Sequence, residues 1–291
     1  MILLTGAAGK TGRAILQALK SKDAHVRAFV RSAKQASAMK ESGAKDVIVG
    51  DLRDASKLTE SLQGIEKVYH ICPNVSPDEV AIGENLLAAA RSAQVEHFVY
   101  HSVLHPQTQA MPHHWKKYQV EEKIFESGLP FTILQPAVYM QNILAHWESI
   151  VNQGIYPTPY PVETRISLVD LNDIAQVAAI VLTGPGYENA TYELVGTPAL
   201  SQIEVAEALS EALALPVSPQ EISIEAWKEN ARNGGLGDYQ VEVLIKMFRY
   251  YARHGLVGNP NVLAWLLGRP PTSFPAFIAS AVHDNLGLDK T

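Results

Sequence analysis

Three glycines near the start of the chain, in the run Thr5-Gly6-Ala7-Ala8-Gly9-Lys10-Thr11-Gly12, follow a short apolar stretch directly and precede an amphipathic one. In a strand-to-helix turn of this kind the first glycine permits the tight bend. The second lets a phosphate approach the backbone with no Cβ in the way, and the third lets the helix lie close on the strand. The helix N-terminus adds unpaired N–H groups and the positive end of its dipole. The chemistry matching this arrangement is the binding of a dinucleotide pyrophosphate, with Gly6, Ala8, Gly9, Lys10, Thr11 and Gly12 as its contacts. A glycine-rich turn without a ligand is the competing reading; the setting between strand and helix favours the ligand.

The next apolar run ends in Arg31 and Ser32. A site for NAD usually has an acid at this strand end for the ribose 2′-hydroxyl, whereas NADP needs a cation for its 2′-phosphate. Arginine presents a planar fork of donors matched to phosphate, and Lys34 adds charge. NADP(H) is therefore expected over NAD(H), against the alternative that Arg31 is a solvated charge on a surface loop.

These residues need elements to hold them. Short apolar runs alternate with helix-period segments, the sequence form of βαβ units around a parallel sheet. Strands are expected at 2–4, 25–30, 46–49, 67–71, 97–101 and 131–134, with helices between them such as 13–21, where Ala14, Ile15, Ala18 and Leu19 recur at helical spacing. After Pro136 the reading continues with a helix over 143–151, a Gly- and Pro-rich connection over 154–161 and a strand at 166–169. A helix at 174–182 and a strand at 192–195 return to the sheet. The fold class is α/β, a Rossmann-type doubly wound parallel sheet with a smaller, mainly helical second lobe. Residues 1–150, joined by 171–197, form the NADP-binding domain, and 151–170 with 198–291 form the lobe for substrate or partner.

Composition narrows the function classes. The 291 residues are 47% hydrophobic and 19% charged, as in compact globular proteins. A formal charge of −6 offers no cationic field for a phosphate backbone, so direct nucleic-acid binding is not expected. The single cysteine, Cys72, excludes an intrachain disulfide, and no Cys/His spacing suggests a metal site. No run of about 18 apolar residues occurs, and the chain opens on a strand pattern, so no membrane association and a cytoplasmic location are expected.

The Gly-x-x-Gly-x-x-Gly spacing is one residue longer than that of ordinary Rossmann dehydrogenases and points to the short-chain dehydrogenase/reductase superfamily. With the stretches AFVRS, GDLRD, PAVYMQN and HGLVGNPNVLAWLLGRPPTSF, the chain resembles the atypical NmrA-like branch. That resemblance implies that Asp51 and Leu52 border the adenine, unless Asp51 is only a turn former. It also implies that Cys72, Pro73 and Asn74 pass beside a cofactor ribose, and that Tyr139 and Asn142 lie near the nicotinamide.

Typical members of the superfamily carry a tyrosine general acid four residues before a lysine on one helix. Here the matching lysine is Lys117, but His113 stands in the tyrosine's place, and Tyr118 and Lys123 are five apart. At about 100° per residue, Lys117 shares the arc of Val120, Ile124 and Phe125, while Lys116 and Lys123 point outward. Lys117 is therefore read as a contact to the cofactor ribose, with a stem lying on apolar surface and its head in water as the alternative. Ser102 matches the superfamily's catalytic serine; a hydroxyl satisfying local backbone is its other reading. His113 and His114 are either loop histidines or a proton source. Trp227, Met247, Phe248, Tyr250 and Tyr251 are expected on second-lobe helices, mostly as core with some lining a substrate pocket.

Two functions follow from the resemblance. One is an NADP(H)-dependent oxidoreductase passing hydride to a quinone-like or carbonyl acceptor in an apolar cleft between the lobes. The other is a non-catalytic NADP(H)-sensing redox regulator acting through a protein partner. The enzyme is favoured.

Overall fold

The computed structural model describes residues 1–286. The chain divides into two compact units, 1–136 with 174–193 and 137–173 with 194–291. It enters the second unit at Ala137, directly after the sixth strand, earlier than the boundary at 150 read from the sequence.

The first unit runs β1 (Ile2–Leu4), α1 (Lys10–Lys20), β2 (Val26–Val30), α2 (Ala33–Glu41), β3 (Asp46–Val49), α3 (Ala55–Ser61), β4 (Lys67–His70), α4 (Glu79–Ser92), β5 (His97–His101), α5 (Pro112–Glu126) and β6 (Phe131–Pro136). The sheet order is β3-β2-β1-β4-β5-β6, with the strand Ala190–Leu194 beside β6. Every neighbouring pair from β3 to β6 is parallel, with Ile2 opposite both Val26 and Lys67. The order reverses between β1 and β4, and at such a switch point the loops leaving the two strands diverge and open a crevice at the sheet's carboxyl edge.

Local sequence explains the elements. β1 and β5 are buried along their whole length, as strands covered by helices on both faces must be. On α1, Gly12, Ile15, Leu16 and Leu19 form the buried stripe at helical spacing. Ser32 caps α2 by accepting from the Gln35 N–H, and Asp54 caps α3 by accepting from Ser56 and Lys57.

The second unit is mainly helical and has its own core, in which Met140, Ile143, Ile150, Val205, Leu209, Phe274 and Ile278 are buried together. The helix expected over 143–151 is two elements, a 3₁₀ turn at Met140–His146 followed by the helix Trp147–Gln153, which ends on Gly154 at φ +67. The expected connection at 154–161 contains a strand, Ile155–Thr158, paired in parallel with Ser218–Glu221. Pro157 and Pro219 hid it; a two-stranded ribbon has open edges where a missing N–H does no harm. Ser201 and Glu204 form a reciprocal capping box at the start of the helix Gln202–Leu213.

Among the described residues four histidines are buried. Nδ1 of His70 meets the Thr5 hydroxyl at 2.8 Å, Nε2 of His97 meets Thr132 at 2.8 Å, and Nδ1 of His101 meets the Tyr69 hydroxyl at 2.8 Å. His114 faces the His105 carbonyl at 3.4 Å. Burial is the main cause that lowers them, to about 4, 4, 3 and 4 in that order. The unfolded chain takes up these protons near pH 6.5, and the folded chain does not until well below pH 5. The unfolded state therefore binds more protons throughout that interval, and stability falls as pH falls through it, by up to about 1.4 kcal/mol per pH unit for each histidine. The thermal midpoint should hold near neutrality and drop steeply below pH 6. A midpoint unchanged from pH 7 to pH 5 would contradict neutral histidines in the core.

Candidate cofactor site and active site

The glycine turn joins β1 to α1 at the switch point. Gly6 has φ +62, and a Cβ there would meet the Ile71 carbonyl at 2.9 Å. At Gly12 a Cβ would collide with the Gly6 carbonyl and lie 2.6 Å from the Cα of Ala7. Gly9 differs: a Cβ would touch only the Gly6 carbonyl, at 3.3 Å, with nothing else within 4 Å. Two of the glycines thus answer to packing, while the third faces open space. Gly9 is the N-cap of α1, no side chain caps that helix, and no acid stands in its first turn. The turn therefore presents N–H groups and a positive dipole end beside the open space over Gly9.

At the end of β2, the Arg31 N–H donates to Gln35 Oε1 at 2.9 Å, and the side chain is exposed. The nearby acid, Asp51, is occupied by Arg53, whose Nε and Nη2 reach its two oxygens at 3.0 and 2.6 Å. Hydrogen bonding from Arg53 holds the Asp51 carboxyl down at about 2, and Arg31 adds a smaller pull in the same direction. Lys34 is exposed on the first turn of α2. Leu52 is buried beside Asp51.

The loop leaving β4 places Pro73 and Asn74 at the surface and buries Cys72. Burial pushes the Cys72 thiol far up, and the Glu79 carboxylate pushes in the same direction, so it stays a neutral thiol.

Helix α5 carries Lys117, and the structure shows its surroundings. The ammonium donates to Glu79 Oε1 at 2.9 Å and to the His101 carbonyl at 3.0 Å, and it stands 5.1 Å from the centre of the Tyr100 ring. An ammonium has three donors, so one remains. The side chain is 13% exposed, so the lysine is largely withdrawn from water. Tyr100 also donates to Glu79 Oε1, at 2.8 Å. Burial pushes the Glu79 carboxyl up, but the charge and hydrogen bond of Lys117, with the Tyr100 hydroxyl, more than offset this and leave it lowered. The lysine head is therefore not in water; it is anchored at the carboxyl end of β5.

Ser102 is fully buried, and its hydroxyl donates to Glu121, which also accepts from Gln135 Nε2 at 3.0 Å to each oxygen. Burial raises the Glu121 carboxyl, partly countered by those bonds. The serine thus ties β5 to α5 and presents no free hydroxyl. Phe125, expected on the buried arc, is 54% exposed and packs edge-on against Phe131; at about 80° from Lys117 around the helix it lies at the arc's margin.

His113 and His114 are helical residues of the first turn of α5, not loop residues, and their rings meet edge to face. The Nδ1 of His113 is buried without a hydrogen-bond partner, and burial, helped by His114 and Lys117, lowers this histidine to about 3. It is a neutral imidazole at any working pH.

In the second unit, Tyr139 ends a two-residue strand paired with Leu168–Val169, and Asn142 is exposed on the 3₁₀ turn. Gln141 fixes the segment, donating to Asp170 at 2.7 Å and accepting from the Leu171 N–H. Trp227, Phe248, Tyr160 and Tyr251 form one cluster with neighbouring ring centres 4.7 to 6.1 Å apart, in which Tyr251 is buried and the other three are not. Met247 and Tyr250 are half-buried on the same helix.

The sequence reading passed over Glu79, Tyr100, Glu121 and Gln135. Glu79 left a trace: Ile82, Gly83 and Leu86 follow it at 3, 4 and 7 residues, so it lies on the buried stripe of α4. An acid on one buried helix face and a lysine on another are candidates for each other.

No described helix is long and apolar enough to cross a membrane. The chain is 32% identical over 279 residues to an NAD(P)H azoreductase of Xenophilus azovorans, covering 95% of this chain and 96% of that protein. The NADPH complex of the quinone oxidoreductase QOR2 from Escherichia coli superposes with a TM-score of 0.85 at 26% identity, covering 97% of this chain and 99% of that one. The NADP(H) complex of a Citrobacter triphenylmethane reductase gives the same score and identity, over 97% and 100%. The family model of the NmrA-like family matches residues 1–278, and the chain belongs to that family.

Proposed function

We propose that this protein is an NADPH-dependent oxidoreductase that reduces a planar, quinone-like or carbonyl acceptor. The observation carrying the proposal is the Lys117 ammonium, held with one donor open on the same carboxyl edge of the sheet as an uncapped glycine turn. The open space over Gly9 fits a pyrophosphate, which a Cβ would obstruct. The N–H groups of Lys10, Thr11 and Gly12 would hold it, with Ala8 and Gly9 lining the turn, the Gly9 N–H being already bonded to the Gly6 carbonyl. Asp51 and Leu52 would border the adenine, and the loop from Cys72 to Asn74 a ribose. The third donor of Lys117 would take a hydroxyl of the nicotinamide ribose. When bound, the dinucleotide supplies the hydride.

The relatives named above are reductases of azo, quinone and triphenylmethane compounds, which supports turnover over a cofactor-sensing role and a flat conjugated acceptor over a small aliphatic one. With His113 where a tyrosine acid would stand, this turn of α5 offers a hydrogen-bonding imidazole and no cationic acid. An acceptor whose reduced form takes its proton from water fits such a site.

For the 2′-phosphate, Arg31 is the recognising residue, with Asp51 already neutralised by Arg53. Replacing Arg31 by Ala should weaken NADPH binding by about 1.5–3 kcal/mol, the range of a charged hydrogen bond, and leave NADH nearly unchanged. Calorimetry giving equal affinities for the two in the wild type would remove the preference.

His113→Ala should change kcat less than about tenfold, and kcat between pH 5 and 8 should show no titration that the variant abolishes. A loss on the order of 10²–10⁴-fold would make this histidine the proton donor after all.

A further inference from the structure

We propose that Glu79 is the positioning residue that aims Lys117 at the nicotinamide ribose, and that Gly83 sets the helix spacing that lets it do so; this rests on the cofactor reading above. Glu79 is 3% exposed in the first turn of α4, and one of its carboxylate oxygens, Oε1, accepts from both Lys117 and Tyr100. Tyr100 is fully buried on β5 and cannot follow a moving carboxylate, so the acceptor oxygen is fixed relative to the sheet. The His101 carbonyl fixes the ammonium from the strand side. With two donors spent on immobile acceptors, the direction of the third is determined. A flexible lysine stem becomes a preoriented donor, which saves the ligand the entropy of ordering it.

The separation of α4 and α5 is part of the same device. A Cβ on Gly83 would lie 2.9 and 3.0 Å from the two methyl groups of Val120. Gly83 is one turn after Glu79, and Val120 is one turn after Lys117, so this close contact between the helices adjoins the ion pair. The stiff valine has little freedom to yield. A side chain at position 83 pushes the helices apart where the carboxylate must reach the ammonium. At its next turn α5 is held to the sheet by Glu121, through Ser102 and Gln135, so the displacement falls on the Lys117 contact.

The test compares binding of NADPH with that of adenosine 2′,5′-bisphosphate, a fragment lacking the nicotinamide ribose, by calorimetry. Variants are Glu79→Gln, Tyr100→Phe, Gly83→Ala, Lys117→Met and the Glu79→Gln/Lys117→Met pair. The expected result is NADPH affinity down about tenfold in Glu79→Gln and several-fold in Tyr100→Phe and Gly83→Ala, with the fragment bound as in the wild type. In the Lys117→Met background Glu79→Gln should add nothing. Tyr100→Phe keeps the carboxylate and so remains informative if Glu79→Gln does not fold. Equal losses for NADPH and fragment, or additive losses in the double variant, would make Glu79 merely structural and overturn the proposal. If Lys117→Met itself leaves NADPH affinity intact, the cofactor reading of that lysine fails first; if Lys117→Met weakens NADPH while the Glu79 and Tyr100 variants do not, this proposal alone is wrong.

Discussion

No side-chain carbon fits at Gly12, where it would run into the carbonyl of Gly6 and the backbone of Ala7. Helix α1 therefore lies directly against the turn that leaves β1, with its N-terminal N–H groups at the point where the strand order reverses. The other groups at this edge of the sheet are positioned relative to that contact. Because two of the three glycines are demanded by packing, the turn is already formed without a ligand, and Gly9 is left as the position where a side chain would meet open space. Preformed donors pay no reorganisation when an anion arrives.

The second constraint is a buried charge. A lysine held in the edge of a core needs its counter-charge, and breaking such a pair by removing one partner typically costs about 3–5 kcal/mol. Glu79 supplies the carboxylate, Tyr100 steadies it, and together with the His101 carbonyl they hold one ammonium between α4, α5 and β5. The neighbouring Ser102–Glu121–Gln135 group ties the following turn of α5 to β5 and β6. Polar groups at this end of the sheet are thus arranged in two anchored sets. The first set leaves a donor open, and the second commits the Ser102 hydroxyl to an internal bond.

The legible part of the fold was whatever local pattern determines. Apolar runs flanked by turn residues located the six parallel strands to within a residue or two, and Arg31 stands directly after β2. The glycine spacing located the turn, though not the division of labour within it, since only the surrounding atoms tell a glycine needed for packing from one facing open space. The strand at Ile155–Thr158 was hidden by its prolines. The ion pair of Lys117 is half visible: periodicity puts the lysine on a buried face, but its partner lies 38 residues away on another helix, beyond the reach of any local pattern. Three of the buried histidines, His70, His97 and His101, lie inside strands that the apolar pattern located, but that pattern does not show the hydroxyls that meet their polarity, nor the backbone carbonyl that His114 faces.

The central claim is that the turn from Gly6 to Gly12 holds a dinucleotide whose hydride reaches a conjugated acceptor. It is tested most directly by following NADPH oxidation at its absorbance band with a panel of quinones, azo compounds and aldehydes, using the wild type and Gly9→Val. The account predicts turnover with at least one flat conjugated acceptor in the wild type, and a folded Gly9→Val protein, verified by circular dichroism, that neither binds NADPH nor oxidises it. A folded Gly9→Val that turns over like the wild type, or a wild type that binds NADPH and reduces nothing in the panel, would contradict it.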